Sequence, residues 1–379
     1  MITINDLIKE LKITNIRYAK LGDLCFVLTG GEPPNDSIKS KIPDGEYIYP
    51  ILSNGIDEKS IWGYSKTYRI NRPAITFSSI GTIGKPMLRN FYFTPVIRLK
   101  VIYPKEENKL NISYLKYFLD TINLNTNSST IPNINADTLK QIEIAVPPID
   151  IQTKIANILD KFAELEAELE AELEARKKQY DYWLHTLLDS KTGMLNDKNI
   201  TYAKLKDVCE IKRGEKITRD EIIDIGYPII SGGKNYLGYA NKYNANENTI
   251  TISRAGNPGF VNSISEKFWI TDFCFYIGKT IKNINYRYLY YYLKSVQDEI
   301  YSLCLSGSIS TLNMANLSLL PIAFPSLDTQ NKIVSILDQF NNLTSNLQDG
   351  IPAEIKLRKE QYHYYLKQLL TFNNKYDNH

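Results

Sequence analysis

Apolar residues recur along this chain with two different periods, and the change from one to the other marks its elements. Over 150–188 the sequence reads DIQTKIANILDKFAELEAELEAELEARKKQYDYWLHTLL, with Ile155, Ile158, Leu159 and Phe162 at i, i+3, i+4 and i+7, one face of an α-helix. The stretch is rich in Ala, Leu, Glu, Lys and Arg and contains no helix breaker. Pro147-Pro148 precede it, and Asp150 is placed to cap it. At ~1.5 Å per residue it predicts a rod of about 60 Å, which outreaches a domain of ~100–150 residues. The pattern returns over 328–370. There Ile333, Ile336, Leu337 and Phe340 repeat the stripe, and Gln330, Lys332 and Asp338 repeat Gln152, Lys154 and Asp160. Further on, Arg358, Lys359, Gln361, Tyr362 and Tyr364 repeat Arg176, Lys177, Gln179, Tyr180 and Tyr182. One half of the chain is a copy of the other. The two stripes are expected to bury each other, pairing the helices as an antiparallel coiled coil that holds two globular domains apart. Asp349-Gly350-Ile351-Pro352 interrupts the second helix, where proline removes a donor and forces a kink or break.

Outside the rods the pattern shortens to β-branched runs separated by Gly, Asn and Pro, which predicts strands with one or two helices. These segments are also duplicated. YAKLGDLCFVLTGGE (18–32) has its copy in YAKLKDVCEIKRGE (202–215), and YPILSNG (49–55) in YPIISGG (227–233). Gly63-Tyr64 matches Gly238-Tyr239, and 75–85 matches 250–260, with Gly81 and Gly84 falling on Gly256 and Gly259. Each copy closes with a Tyr-rich helix (114–119; 288–293) and a strand leading to proline (142–147; 320–325). The fold class is α/β in the α+β sense: two pseudo-repeated, sheet-rich domains, largely antiparallel, separated by two long helices. The expected plan is an N-terminal helical segment at 1–16, a first domain at 17–148, a first rod at 149–189 and a linker at 190–201. A second domain at 202–325, a second rod at 326–372 and a tail at 373–379 complete it.

Charge sharpens this picture. Residues 1–148 carry 18 Lys/Arg against 14 Asp/Glu and residues 190–325 carry 16 against 12, while the first rod, 149–189, carries 5 against 10. The globular parts are basic and the rod is acidic, so nucleic acid is a sensible partner for the former. No apolar run reaches the ~20 residues of a membrane span, and MITINDLIKELK does not read as a signal peptide. Cys25, Cys209, Cys274 and Cys304 lack CxxC spacing, and the repeat equivalents Cys25 and Cys209, in apolar surroundings, read as small core residues in a reducing cytoplasm. With three histidines in the chain, a zinc site and most general-base schemes are unsupported. The segment 78–85, SSIGTIGK, lacks phosphate-loop spacing, and no amide clamp of a methyltransferase is present. The chain reads as a reader, with no metal and no catalytic residue expected.

What the repeated loops offer suits backbone and base contacts. Ser53-Asn54-Gly55 and Ser231-Gly232-Gly233-Lys234 are small polar turns that a phosphate can approach. Lys39, Lys41, Lys66, Arg69 and Lys85 in the first domain are candidate DNA contacts. So are Lys212, Arg213, Lys216, Arg219, Arg254 and Asn257 in the second.

Two variable domains, each opening on a Tyr-x-Lys-Leu segment and followed by Pro-x-x-x-x-Gln…Ile…Ile-Leu-Asp…Arg-Lys-x-Gln-Tyr, resemble the specificity subunit of a type I restriction–modification system. Pro147, Gln152, Ile155, Ile158, Leu159 and Asp160, with their copies from Pro325 to Asp338, carry the match across nearly the whole chain. The AELEAELEAELEA run at 163–175 is similar to the four-residue repeats in the spacer of some members. The resemblance implies a non-catalytic, cytoplasmic subunit whose two target recognition domains read the halves of an asymmetric, bipartite sequence in double-stranded DNA. It further implies helices that set the spacing and dock two modification subunits, which bring S-adenosylmethionine and the catalytic site. Restriction subunits join later, and ATP and Mg are expected on the partners, with no cofactor on this chain. The other reading of the residues is a two-domain scaffold that binds protein or RNA.

Overall fold

The computed structural model describes residues 4–14, 16–78, 85–122, 135–189, 200–281, 283–304, 310–345 and 350–372. Most of the linker expected at 190–201, the tail at 373–379, and Gly81, Gly84 and Asp349 lie outside them. The chain divides into two compact units, Met1–Leu169 with Ile355–His379, and Glu170–Glu354.

In the first unit, helix α1 (Ile4–Ile13) sinks Leu7 and Leu11 into the core. Strand β1 (Arg17–Lys20) pairs antiparallel with β10 (Glu143–Val146), Arg17 opposite Val146. After the short helix α2 (Leu21–Leu24) come two four-stranded sheets. One has the antiparallel order β2-β9-β6-β7, from Cys25–Thr29 (β2), Ala74–Phe77 (β6), Met87–Arg89 (β7) and Lys100–Pro104 (β9). The other, β3-β5-β4-β8, joins Ser37–Ile38 (β3), Tyr49–Leu52 (β4), Ile61–Ser65 (β5) and Thr94–Pro95 (β8), with β4 and β8 parallel. Helices α3 (Ile112–Thr121) and α4 (Ala136–Gln141) each start on an asparagine whose side chain accepts a first-turn N–H: Asn111 from Tyr114 at 3.0 Å and Asn135 from Thr138 at 2.7 Å.

The second unit repeats the plan. Strand β11 (Thr201–Lys204) pairs with β19 (Pro321–Phe324) as β1 does with β10. Helix α6 (Leu205–Val208) leads into the sheet β12-β18-β15-β16, made of Cys209–Arg213 (β12), Thr251–Ser253 (β15), Val261–Asn262 (β16) and Cys274–Thr280 (β18). Tyr227–Ile230 (β13), Tyr239–Ala240 (β14) and Trp269–Ile270 (β17) form a three-stranded sheet, and the place of β3 is taken by a single antiparallel bridge from Ile223 to Tyr239. Helices α7 (Tyr286–Ser295), α8 (Gln297–Ser302) and α9 (Met314–Ser318) follow. Cys25, Cys209 and Cys274 are buried, and burial pushes each thiol up to about 12.

The first rod is one helix, α5 (Ile149–Leu188). Because it begins at Ile149, Asp150 stands inside the first turn and pairs with Lys154 at 3.5 Å, so it is not the N-cap. The second rod is two helices, α10 (Leu327–Ser345) and α11 (Ile351–Leu370). Pro352 falls in the first turn of α11, where its missing N–H has no intrahelical partner to lose.

The expected stripe-on-stripe seam is not what buries the repeated apolar residues. Ile155 and Leu159 lie in the core of the first unit with Leu369 and Leu370 of α11, Ile158 packs against that core, and Phe162 stacks on Tyr365 at 5.5 Å. Ile333 and Leu337 lie in the core of the second unit with Leu184, Leu187 and Leu188 of α5, Ile336 packs beside them and Phe340 is half-buried. Within the first unit, Phe162 meets Tyr365 and Glu166 pairs with Lys359 at 3.3 Å, so α5 and α11 run antiparallel. Antiparallel partners place the start of one helix beside the end of the other. A stripe near the start of both therefore packs on the partner's end and on its own domain.

The repeated polar residues of the rods are brackets. Gln152, fully buried, accepts from Asn111 N–H at 2.8 Å and donates to the carbonyls of Lys109 (3.1 Å) and Pro147 (2.7 Å). Gln330 does the same with Asn285 N–H (2.8 Å), Asn283 (3.0 Å) and Pro325 (2.8 Å). Asp160 accepts from Tyr117 Oη at 2.7 Å, and burial followed by this bond pushes the Tyr117 phenol up. Asp338 accepts from Tyr291 and pairs with Arg287 Nε at 2.8 Å. These contacts fix the entry of each long helix to its own domain.

Candidate nucleic-acid interface

Each unit carries the same knot of loops at the ends of its strands. In the first, Gly30 N donates to Leu99 O at 2.7 Å, Val96 N to Leu52 O at 2.8 Å and Ile97 N to Gly31 O at 2.9 Å. In the second, Gly214 N donates to Cys274 O at 3.1 Å and Thr271 N to Ile230 O at 3.0 Å. Glycine is required here by close approach: a Cβ would lie 2.7 Å from Val96 N at Gly30 and 2.3 Å from Thr271 O at Gly214. Gly232 is tighter still, with a Cβ position 1.8 Å from Ala255 O. That contact is flanked by Asn257 N donating to Gly232 O at 2.7 Å. The repeated pair Gly30 and Gly214, joined in the second unit by Gly232, thus lets backbone segments converge.

On this shared frame the tips differ. In the first unit the tip is Ile97-Arg98, both exposed and both in the left-handed region, at φ 53° and 60°. For a β-branched residue that conformation is strained. Asn54 Nδ2 holds it by donating to Ile97 O at 2.7 Å. Behind it Lys100 is buried, its Nζ donating to Thr29 Oγ1 at 3.2 Å, and burial together with Arg98 pulls its ammonium below the usual lysine range. In the second unit the tip is Asp272-Phe273. Arg213 donates from Nε to Asp272 O at 3.0 Å and from Nη2 to its carboxylate at 3.2 Å, and Phe273 stands about half exposed. Arg254 N donates to Phe273 O at 2.8 Å.

The knots gather some of the residues that the sequence nominates and leave others elsewhere. Asn54 and Arg69 belong to the first, Arg69 Nη2 lying 3.4 Å from Glu32 O. Ser53 is turned into the fold, its N–H donating to Ser60 O at 2.8 Å. Lys39, Lys41 and Lys66 are engaged around β3 and β5: Lys39 at 6.0 Å from the Trp62 ring, Lys41 on Ile61 O, and Lys66 paired with Glu46 over Tyr47. The Lys66 bond holds the Glu46 carboxyl below the usual carboxylate range. Lys85 is exposed after β6. In the second unit Arg213, Ser231, Arg254 and Asn257 belong to the knot, Ser231 Oγ accepting from Thr271 Oγ1 at 3.1 Å. Lys234 is exposed on the loop after β13, and Lys216 and Arg219 are exposed beyond β12. Lys212 pairs with Glu210 at 3.0 Å.

Ile97, Arg98, Lys100, Asp272 and Phe273 are the residues that sequence reasoning missed. The repeat itself could have found them, because Val96 and Leu99 align with Thr271 and Cys274 through their hydrogen bonds. Among the described residues no group of His, Cys, Asp and Glu could hold a metal ion, and no helix is long and apolar enough to cross a membrane.

A family model described as the type I restriction modification DNA specificity domain matches twice, over residues 15–175 and 197–357. A Mycoplasma pneumoniae protein named as a type I specificity subunit is 30% identical over 372 residues, spanning 94% of this chain and 98% of its own. The EcoR124I/EcoR124II specificity subunit of Escherichia coli is 26% identical over 90% of this chain and 91% of its own. Among solved structures, the type I restriction–modification S subunit of M. genitalium superimposes with a TM-score of 0.70 at 18% identity, over 96% of this chain and 98% of that one.

Proposed function

This chain belongs to the type I restriction modification DNA specificity family, a non-catalytic DNA-recognition subunit, and from that premise we propose that each unit reads one half of a bipartite site through its loop knot. One observation carries this reading: the same glycine-built frame presents Ile97-Arg98 in one unit and Asp272-Phe273 in the other. A shared scaffold with different tips is what two readers of different sequences require. Arg98, Asn54 and Arg69 offer donors to base edges or phosphates in the first unit. Lys234, Asn257 and the Arg213–Asp272 pair serve in the second. Two nonidentical readers on one chain give an asymmetric site, as identical ones give a palindrome.

The partners follow from the premise. Two modification subunits dock on the long helices, and restriction subunits complete the assembly. They carry S-adenosylmethionine, ATP and Mg, and the complex works in the cytoplasm. The duplicated brackets at Gln152 and Gln330 support two equivalent docking positions, because each fixes a long helix to its domain in the same way. The test is to co-express the chain with its modification partner and map methylated sites in a randomised duplex pool. Arg98→Ala is expected to relax one half-site and Asp272→Ala the other. If either substitution alters both halves equally, the assignment of one unit to one half fails.

A further inference from the structure

The tip of the second unit holds an arginine in a way that the first unit cannot. Arg213, the last residue of β12, turns one side of its guanidinium onto Asp272. Nε donates to the Asp272 backbone oxygen at 3.0 Å, and Nη2 donates to its carboxylate at 3.2 Å. Nε and Nη2 share one side of the planar fork. The end of the fork, Nη1 with the outer hydrogen of Nη2, makes no hydrogen bond among the described residues. The Arg213 side chain is 48% exposed and that of Asp272 18%, so the carboxylate is the sunken anchor and the guanidinium the accessible partner. Phe273, next along the tip, stands about half exposed. A guanidinium already clamped on one side loses little further freedom when its other donors find a partner.

The clamp belongs to this unit alone. Arg213 lies opposite Phe275 of β18 as Thr29 lies opposite Lys100 of β9. The repeat therefore sets Thr29 where the second unit has Arg213, and Ile97 where it has Asp272. Thr29 Oγ1 accepts from Lys100 Nζ at 3.2 Å, and Ile97 offers no carboxylate. The shared frame forms without the pair, so the pair is an addition made at one tip.

A free guanidinium end can take a phosphate or a base edge, and charge decides between them. The Arg213–Asp272 pair is neutral as a whole, and its carboxylate repels a phosphate. It draws little from the counterion release that rewards phosphate contacts. A base edge is read instead by its pattern of donors and acceptors. In the major groove guanine sets two acceptors side by side, O6 and N7, at the spacing of the guanidinium fork. Adenine sets a donor beside N7, thymine a methyl group beside O4, and cytosine offers a donor. We propose that Arg213 reads a guanine in the half-site of the second unit, with Asp272 as the residue that positions it. This rests on the reading of the loop knots as the sites of DNA recognition.

The experiment uses the full chain with its modification partner and maps methylated sites in a randomised duplex pool. The unaltered chain is expected to return one fixed G·C pair that Arg213→Lys leaves degenerate, with the rest of that half-site and the whole of the other kept. Lysine retains the charge and loses the fork. The fixed guanine is then replaced by 7-deazaguanine, which lacks the N7 acceptor, in a duplex carrying the mapped site. Binding by the unaltered chain is expected to weaken about tenfold, and by Arg213→Lys less than about twofold further. A merely structural arginine does not sense N7, so equal losses in the two proteins overturn the proposal. Uniform weakening of all sequences by Arg213→Ala, with the salt slope falling by about one phosphate, makes it a backbone contact and also overturns it. Phe273→Ala tests the tip separately. If it alters the second half-site while Arg213→Lys does not, the tip reads DNA and the guanine assignment alone falls. If neither variant alters a half-site, the reading of this knot falls with it.

Discussion

At the scale of single residues, the repeated glutamines show what a sequence conveys and what it withholds. Gln152 and Gln330 stand out as a copied pair, yet nothing in the one-dimensional pattern says that each is fully buried and makes three hydrogen bonds. Removing such a side chain strands one donor and two acceptors, each costing about 1–3 kcal/mol. Gln152→Ala is expected to destabilise the first unit by about 2–5 kcal/mol, and Gln330→Ala the second by a similar amount, as urea unfolding would measure. A change below ~0.5 kcal/mol would mean that solvent reaches the bracket. The loop tips were less legible. Ile97 and Arg98 adopt positive φ without being glycine, a conformation that no residue type announces. Asn54, by contrast, was nominated as a polar turn and holds that tip. Asn54→Ala is expected to loosen Ile97-Arg98 and weaken DNA binding roughly tenfold, the equivalent of about 1–1.5 kcal/mol for one hydrogen bond. Full affinity in a filter-binding assay would remove Asn54 from the site.

At the scale of elements, periodicity told which face of each long helix is buried but not what covers it. The stripe of α5 at Ile155 and Leu159 packs with its own domain and the end of α11, and that of α10 at Ile333 and Leu337 with its domain and the end of α5. The distinction is testable. Leu159→Asp places an unpaired carboxylate in the first core, at a cost of several kcal/mol, and is expected to open the first unit while the second keeps its hydrogen-exchange protection. Leu337→Asp is expected to do the reverse. If both variants deprotect both units alike, the stripes share one seam after all. The strands were legible in kind because β-branched runs and glycine turns were duplicated. The split of each domain into separate small sheets was not, since pairing partners lie far apart in sequence, as Arg17 and Val146 do.

At the scale of the whole molecule, the acidic repeat of α5 reads as a ruler. From Ala163 to Gln179 no residue is buried; Arg176 with Glu172 and Lys177 with Glu174 form exposed i,i+4 and i,i+3 pairs, and Glu166 reaches Lys359 of α11 at 3.3 Å. Such a segment contributes length more than packing. One AELE unit adds about 6 Å and a net turn of ~40° to a helix, against ~3.4 Å per base pair. Inserting or deleting a unit is expected to keep both half-site sequences and shift the gap between them by about one to two base pairs. Mapping methylated sites for two-, three- and four-unit variants decides it, and an unchanged gap across the series rejects the ruler. Two units binding together are also expected to give a steeper salt dependence than either alone, with a slope near 0.9 per phosphate neutralised. A flat salt response of the whole chain would favour a protein-binding scaffold.

The division of the chain also has a temporal side. The second unit is one uninterrupted segment, whereas the first is assembled from both Met1–Leu169 and Ile355–His379. Its core needs Leu369 and Leu370 against Ile155 and Leu159. On a ribosome adding about 5–20 residues per second, the earlier half of that core waits on the order of ten seconds or more for the later half. The domain made first is therefore the one finished last, and its apolar helix face waits uncovered by α11 on the nascent chain.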